Sequence, residues 1–264
     1  MIDIHAHILP GVDDGAVDLA ESLEMARQAV AGGTTELICT SHSAEWFEIG
    51  PLAVMQQQVA TLQSAITAAG IPLKLWPGME IFLTPHTPQH LAQGRAWTLA
   101  GSRYVLVEIP YEPWPAYTEQ ALFALQVQGY LPILAHPERY VAIQHDPNVL
   151  YRLAERGILA QVTAGAFAGY FGEATRRCAV TLTQHGLVQF LASDAHSSTD
   201  TRRLPALDQG YRDLVGLVGE ATATTMATTA PGQVPVDAPV AIDARPVEAP
   251  RSFFSRMFGG QQGR

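Results

Sequence analysis

Six times along this chain a short apolar run, of the kind that forms a buried β-strand, ends at a histidine or a carboxylate. Ile2-Asp3-Ile4 leads to His5 and His7, Thr35 to Thr40 leads to His42, and Leu73 to Met79 leads to Glu80. Tyr104 to Val107 runs into Glu108, Leu131 to Ala135 into His136, and Val188 to Ser193 into Asp194 and His196. Helical segments closed by glycine lie between them: 16–31 before Gly32-Gly33, 51–69 before Gly70, 116–128 before Gly129, 147–156 before Gly157 and 173–185 before Gly186. Repeated βα units with glycine stops specify a parallel sheet. Strands near 2–4, 35–41, 73–80, 103–109, 131–136, 157–163 and 187–193 favour an α/β fold, a distorted TIM-like barrel of (β/α)7 type. A doubly wound open sheet is the alternative. In a parallel barrel the C-terminal strand ends share one face, where active sites are built. Ligand-type residues scattered in sequence, with Asp14 from the first loop, would then form one site.

Composition narrows the function. The formal net charge is −9, Lys74 is the only lysine and the arginines are dispersed, which argues against a nucleic-acid surface. Two cysteines, Cys39 and Cys178, are too few for a disulfide scaffold or a thiolate zinc site. No apolar stretch approaches the ~18 residues needed to span a bilayer, and Met1 leads directly into a strand, so a cytoplasmic location is expected.

A helix starting near Leu204, carrying Leu207, Tyr211, Leu214 and Leu217, is expected to pack across the barrel. From Ala221 the chain turns to Ala, Thr, Pro and Val, with prolines at 231, 235, 239, 246 and 250. Such proline density cannot support a long helix or a central strand. The expected organisation is a barrel over 1–220 and a flexible tail over 221–264, in which Ser252 to Phe258 is apolar enough for a docking segment.

Imidazole and carboxylate without thiolate suit Mn, Fe, Zn or Co. The candidate ligands are His5, His7, Asp14, His42, Glu80, Glu108, His136, Asp194 and His196. His5 and His7, two apart on a strand, project to one side and can share an ion. Asp13 competes with Asp14: one of the pair would ligate while the other caps the following helix. Neither cysteine is followed six positions later by arginine, since Glu45 and Gln184 stand there, so a cysteine-dependent phosphatase loop is excluded.

At these positions the chain resembles the PHP (polymerase and histidinol phosphatase) superfamily, and within it the bacterial metal-dependent tyrosine-protein phosphatases of capsule and exopolysaccharide synthesis. The resemblance runs from Met1 to Gly15 through Thr40-Ser41-His42, Gly78-Met79-Glu80-Ile81, Leu106-Val107-Glu108, His136-Pro137-Glu138-Arg139-Tyr140 and Ser193-Asp194-Ala195-His196. It implies three divalent ions, manganese first, with Fe, Zn, Co or Mg as options. By the family pattern Asp14, His42 and His196 would hold one ion and His5, His7, Glu80 and Asp194 a second. Glu80, Glu108 and His136 would hold the third, with Glu80 bridging. The implied substrate is the phosphotyrosine tail of a membrane-associated bacterial tyrosine kinase that regulates polysaccharide synthesis.

Phosphomonoester hydrolysis needs a nucleophilic water near neutral pH and neutralised phosphoryl charge, which clustered metals supply through a metal-activated hydroxide. His42 or His196 would assist. Arg139 matches phosphate geometry with its fork, the alternative being an ion pair with Glu138 or another carboxylate. A second arginine is expected after the Asp-x-His pair: Arg202 first, Arg203 in reserve. Tyr111, Trp114, Tyr117, Trp46 and Phe47 are candidates for an aromatic rim around the substrate ring. Two rival readings are a phosphoesterase acting on a metabolite such as histidinol phosphate or a nucleotide, and a non-catalytic regulator.

Overall fold

Parallel strands form wherever the apolar runs occur, in a computed structural model that describes residues 1–43 and 52–248. They are β1 (Ile2–Ala6), β2 (Glu36–Cys39), β3 (Lys74–Pro77), β4 (Glu80–Phe82), β5 (Tyr104–Glu108), β6 (Leu131–Ala135), β7 (Leu159–Thr163) and β8 (Phe190–Ala192). β1, β2 and β3 make one parallel sheet and β4 to β8 a second, both in chain order. Every residue of β5 and β7 is buried, as expected for parallel strands covered on both faces. Helices such as Leu19–Ala31, Leu52–Ala68, Thr118–Val127 and Glu173–Gln184 return the chain between strands.

The third expected strand, 73–80, is divided in two. Pro77 has no N–H to give to a ladder. Gly78 passes so near β2 that a Cβ there would stand 2.6 Å from Ile38 Cγ2. Beyond the break β4 pairs with β5. Single parallel bridges join Ala6 to Ala195 and His42 to Glu80. Around the first of these, Asp194 N–H donates to the His5 carbonyl at 2.9 Å and His7 N–H to the Ala195 carbonyl at 2.8 Å. Buried Asp3 adds a stitch, its Oδ1 accepting from the N–H groups of His5 (3.2 Å) and Ser193 (3.1 Å).

Two expectations need correction. The helix after the Asp13-Asp14 loop is capped by neither aspartate; Asp18 accepts the N–H of Glu21 and starts the helix at Leu19. The segment expected as a tail from residue 221 packs on the fold as far as Val247. Glu220–Thr224 is α-helical, Thr225–Thr229 forms a π-helical turn and Ala230–Gln233 closes the segment. Ala223, Met226, Ala227, Ala230 and Val234 are buried. Pro231 sits at the start of the last short helix, where a missing N–H costs least. Farther on, Asp237 Oδ2 accepts from Arg103 Nε at 2.9 Å, Tyr104 donates its hydroxyl to the Ala238 carbonyl at 2.6 Å, and Val247 N–H reaches Asn148 Oδ1 at 2.9 Å. Composition flags proline's ban on long helices, but small alanines and a methionine still bury well in short ones. Ser252 to Phe258 lies outside the described residues. Among those described, no helix is long and apolar enough to cross a membrane.

Candidate metal centre

The loop after β1 is built to fold back. Gly11 N–H donates to the Ala16 carbonyl at 2.8 Å and Ala16 N–H to the His7 carbonyl at 3.1 Å, closing the turn. A side chain at position 15 would collide with the His7 carbonyl, so only glycine fits. The turn sends its two aspartates to different tasks. Asp13 Oδ2 accepts from His7 Nδ1 at 2.8 Å and from the His42 N–H at 3.0 Å, so it orients rings from behind. Asp14 reaches the site itself, its Oδ1 3.4 Å from both His42 Nε2 and His196 Nε2.

All nine candidate ligands converge, with Glu80 at the centre. Glu80 Oε1 is 2.9 Å from His136 Nε2, while Oε2 is 3.2 Å from His5 Nε2, 3.2 Å from His42 Nδ1 and 3.4 Å from His7 Nε2. Glu108 Oε1 meets His42 Nδ1 at 2.9 Å and Asp194 Oδ1 meets His5 Nε2 at 3.3 Å. In three groups the potential ligand atoms all lie within 4.8 Å of one another: His7, Asp14, His42 and His196; His5, His7 and Glu80; His42, Glu80 and Glu108. The first two contain most of the first and second ligand sets implied by family resemblance. In the third, His42 stands where His136 was expected, although His136 approaches the same two glutamates. His136 (φ 35) and Asp194 (φ 53) hold left-handed backbone conformations. Such strain in non-glycine residues is concentrated at functional sites.

The tautomers of the first two rings fit a cation. His5 Nδ1 donates to Gln161 Oε1 at 2.9 Å and His7 Nδ1 to Asp13, so in the neutral rings both Nε2 atoms carry bare lone pairs. Those atoms stand 3.1 Å apart. Lone pairs at that distance repel unless a cation or a proton lies against them. Burial opposes a charge on His5, but Glu80 and Asp194 outweigh it and push its pKa up to about 9. Burial likewise opposes His42, yet Asp14, Glu108 and Glu80 push it up to about 11. Burial and the nearby Glu80 carboxylate raise Glu108, whereas His196 is lowered by burial and by His7. A divalent ion binding here would have to displace protons that these carboxylates favour on His5 and His42. Replacing Asp13 by alanine is expected to weaken divalent-metal affinity by about 10- to 100-fold, the usual effect of removing a ligand's outer partner. Calorimetric titration would measure this, and wild-type affinity in the variant would refute the orienting role.

A cavity of about 230 Å³ opens over the cluster, lined by Asp14, His42, Glu80, Glu108, His136, Arg139, Asp194, His196 and Arg203, together with Tyr111. Arg139 Nη2 pairs with Asp194 Oδ2 at 2.6 Å, and Nη1 donates to the Tyr111 hydroxyl at 3.2 Å. Its partner is thus a site carboxylate, not Glu138. The other arginine lining the cavity is Arg203, whose Nη2 lies 2.7 Å from Asp14 Oδ2. The expected Arg202 turns outward to Asp200 at 3.1 Å. Adjacent residues in an irregular loop point in different directions, and spacing alone could not separate them. Of the expected aromatic rim, Tyr111 lines the cavity. Trp114 packs edge-on against buried Tyr140, and Tyr117 packs on the core. Trp46 and Phe47 lie outside the described residues. Sequence reading missed Gln161, whose one signal was a polar residue inside an apolar strand, and Phe171, which had none. Both cysteines are buried, with burial pushing the Cys178 thiol up to about 12, and neither lines the cavity.

Comparison with known proteins gives a family match and close relatives. A family model described as capsular polysaccharide synthesis, CpsB/CapC, matches residues 1–234. The tyrosine-protein phosphatase YwqE of Bacillus subtilis is 40% identical over 197 residues, 75% of this chain and 78% of YwqE. A solved structure from work on YwqE of Bacillus subtilis and CpsB of Streptococcus pneumoniae, described as unique metal-dependent tyrosine phosphatases, has a TM-score of 0.89 at 34% identity. It covers 94% of this chain and 100% of that one. More distant neighbours are TIM-barrel hydrolases that share the fold alone. One is the lactonase Lmo2620 of Listeria monocytogenes, with a TM-score of 0.55 at 14% identity over 88% of this chain and 93% of that chain.

Proposed function

The chain belongs to the CpsB/CapC family of capsular polysaccharide synthesis, and on that premise we propose that it is a metal-dependent protein-tyrosine phosphatase. The observation that carries the reading is the facing pair of His5 and His7 Nε2 atoms beside Glu80 and Asp194. We assign the ligand roles to His5, His7, Asp14, His42, Glu80, Glu108, His136, Asp194 and His196, holding three divalent ions, manganese first. The bridges at Ala6–Ala195 and His42–Glu80 support a closed (β/α)7 barrel in which β3 and β4 form one stave, within a single domain over 1–248.

Bound divalent ions would supply Lewis acidity toward phosphate oxygens and a lowered pKa for water. The chain's own residues do the rest. Asp13 and Gln161 fix the His7 and His5 rings. Arg139 and Arg203, which here neutralise Asp194 and Asp14, are placed to grip non-bridging phosphate oxygens once those carboxylates face metal. Tyr111 borders the leaving-group side and holds the Arg139 fork. The tyrosyl oxygen leaves readily, its phenol pKa being about 10, so demand on a proton donor is small. We assign any such assistance to His42 or His196, which both line the cavity. We assign the substrate to phosphotyrosine on a membrane-associated kinase that regulates polysaccharide synthesis, and the enzyme to the cytoplasm.

Phosphate release from a phosphotyrosyl peptide is expected to stop after chelation and return with added manganese. The same assay on histidinol phosphate and nucleotides should give kcat/KM at least about tenfold lower, the discrimination worth ~1.4 kcal/mol. A metabolite preferred over the peptide would transfer the assignment to a small-molecule phosphoesterase.

A further inference from the structure

A second cavity of about 520 Å³ adjoins the metal cavity and shares Tyr111, Arg139 and Arg203 with it. Its remaining wall is Tyr170, Phe171, Thr175 and Arg202. The wall is set by packing. A Cβ on Gly165 would stand 3.1 Å from the Tyr170 side chain, 3.3 Å from Phe171 and 3.5 Å from the Arg202 carbonyl oxygen, so the loops carrying these residues lie against one another. Arg139 joins the two cavities: its guanidinium carbon lies 3.9 Å over the Phe171 ring while its Nη2 holds Asp194. A residue with its phosphate at the metals therefore has a ready path for its chain into the second cavity. Arg202 lines this second cavity and not the metal cavity. Its side chain is 64% exposed and pairs with Asp200. On a chain of net charge −9, which repels acidic partners at long range, this arginine-rich lip is a local exception.

We propose that this groove seats the residues flanking the phosphotyrosine and that Arg202 reads an acidic side chain among them, which makes Arg202 a specificity determinant. The inference rests on the phosphotyrosine reading above. In an extended peptide, residues one or two positions from the phosphotyrosine lie about 3–7 Å along the chain, so they fall beside the metal cavity and not in it. Asp200 competes for the same guanidinium and tempers the preference.

The test compares metal-loaded wild type, Arg202→Gln and Asp200→Asn on phosphotyrosyl peptides that differ only by Glu, Gln or Lys within two positions of the phosphotyrosine. For wild type, kcat/KM should favour Glu over Gln about threefold, the scale of one exposed ion pair, and the preference should fade with salt. Arg202→Gln should lose that preference while turning over p-nitrophenyl phosphate and the Gln peptide at wild-type rates. Asp200→Asn should enlarge it. Indifference of the wild type to flanking charge, or an unchanged ranking in Arg202→Gln, overturns the inference and leaves the phosphatase reading intact. Hydrolysis of p-nitrophenyl phosphate with no turnover of any phosphotyrosyl peptide overturns both.

Discussion

Exchange of Glu80 for glutamine is expected to lower kcat/KM on a phosphotyrosyl peptide by at least about a hundredfold, because disturbing even the partners behind metal ligands costs about 10- to 100-fold. Glu80 is 1% exposed and its two oxygens face four imidazoles. Glutamine keeps the shape and removes the charge that balances those rings. One end of its amide must then present N–H groups where protonated ring nitrogens or an ion need an acceptor. The loss should appear mainly as weakened metal binding, so excess manganese should recover part of it. Glu80→Asp, which keeps the charge on a shorter arm, should fall between wild type and the glutamine variant. Circular dichroism separates loss of function from loss of fold. A folded Glu80→Gln enzyme with wild-type turnover at ordinary metal concentration would remove Glu80 from the centre of the site.

Stripping the ions should lower Tm by roughly 5–10 °C when free metal exceeds Kd by about a hundredfold, since that excess adds ~2.7 kcal/mol and each kcal/mol moves a domain of this size by about 2–4 °C. The size of the drop should depend on pH with a definite sign. In the metal-free chain His5 and His42 have pKa values raised to about 9 and about 11, against ~6.5 for an unfolded histidine. Their contribution is complete below pH ~6.5 and is lost as pH rises through the folded values. Metal binding must displace those same protons, so affinity rises over the same interval. The gap between loaded and stripped Tm should therefore widen from pH 6 toward pH 9. Superimposable melting curves after verified metal removal would refute the coupling, and a gap that narrows with pH would refute the raised histidines.

The parts of this molecule legible in its sequence were those fixed by short-range rules. A strand's end and the residue after it are neighbours in the chain, so the nine candidate ligands could be read without knowing how strands pair, and all nine meet. Asp13 and Asp14 are identical in chemistry, and a hydrogen bond from His7 decides which one turns away. The choice between Arg202 and Arg203 is likewise made by loop conformation. Phe171 and Gln161 reach the site from the seventh strand and the loop beyond it, through tertiary placement that no local pattern encodes. Residues 221–248 were misread because proline content speaks to helix length, whereas burial of Met226 and Ala227 depends on the surface they meet.

The stitch from Asp3 to Ser193 joins residues 190 positions apart, and it has a meaning for how the protein is made. At about 5–20 residues per second of synthesis, His5 and His7 are made about 10–40 s before Asp194 and His196. Throughout that interval the first strand lacks its contact with the Asp194-Ala195 segment, and two imidazoles wait without one of the two carboxylates that contact them both. The catalytic centre is thus among the last features of the chain to be completed, and a polypeptide truncated before Asp194 would contain most of the fold's apolar mass and no finished site.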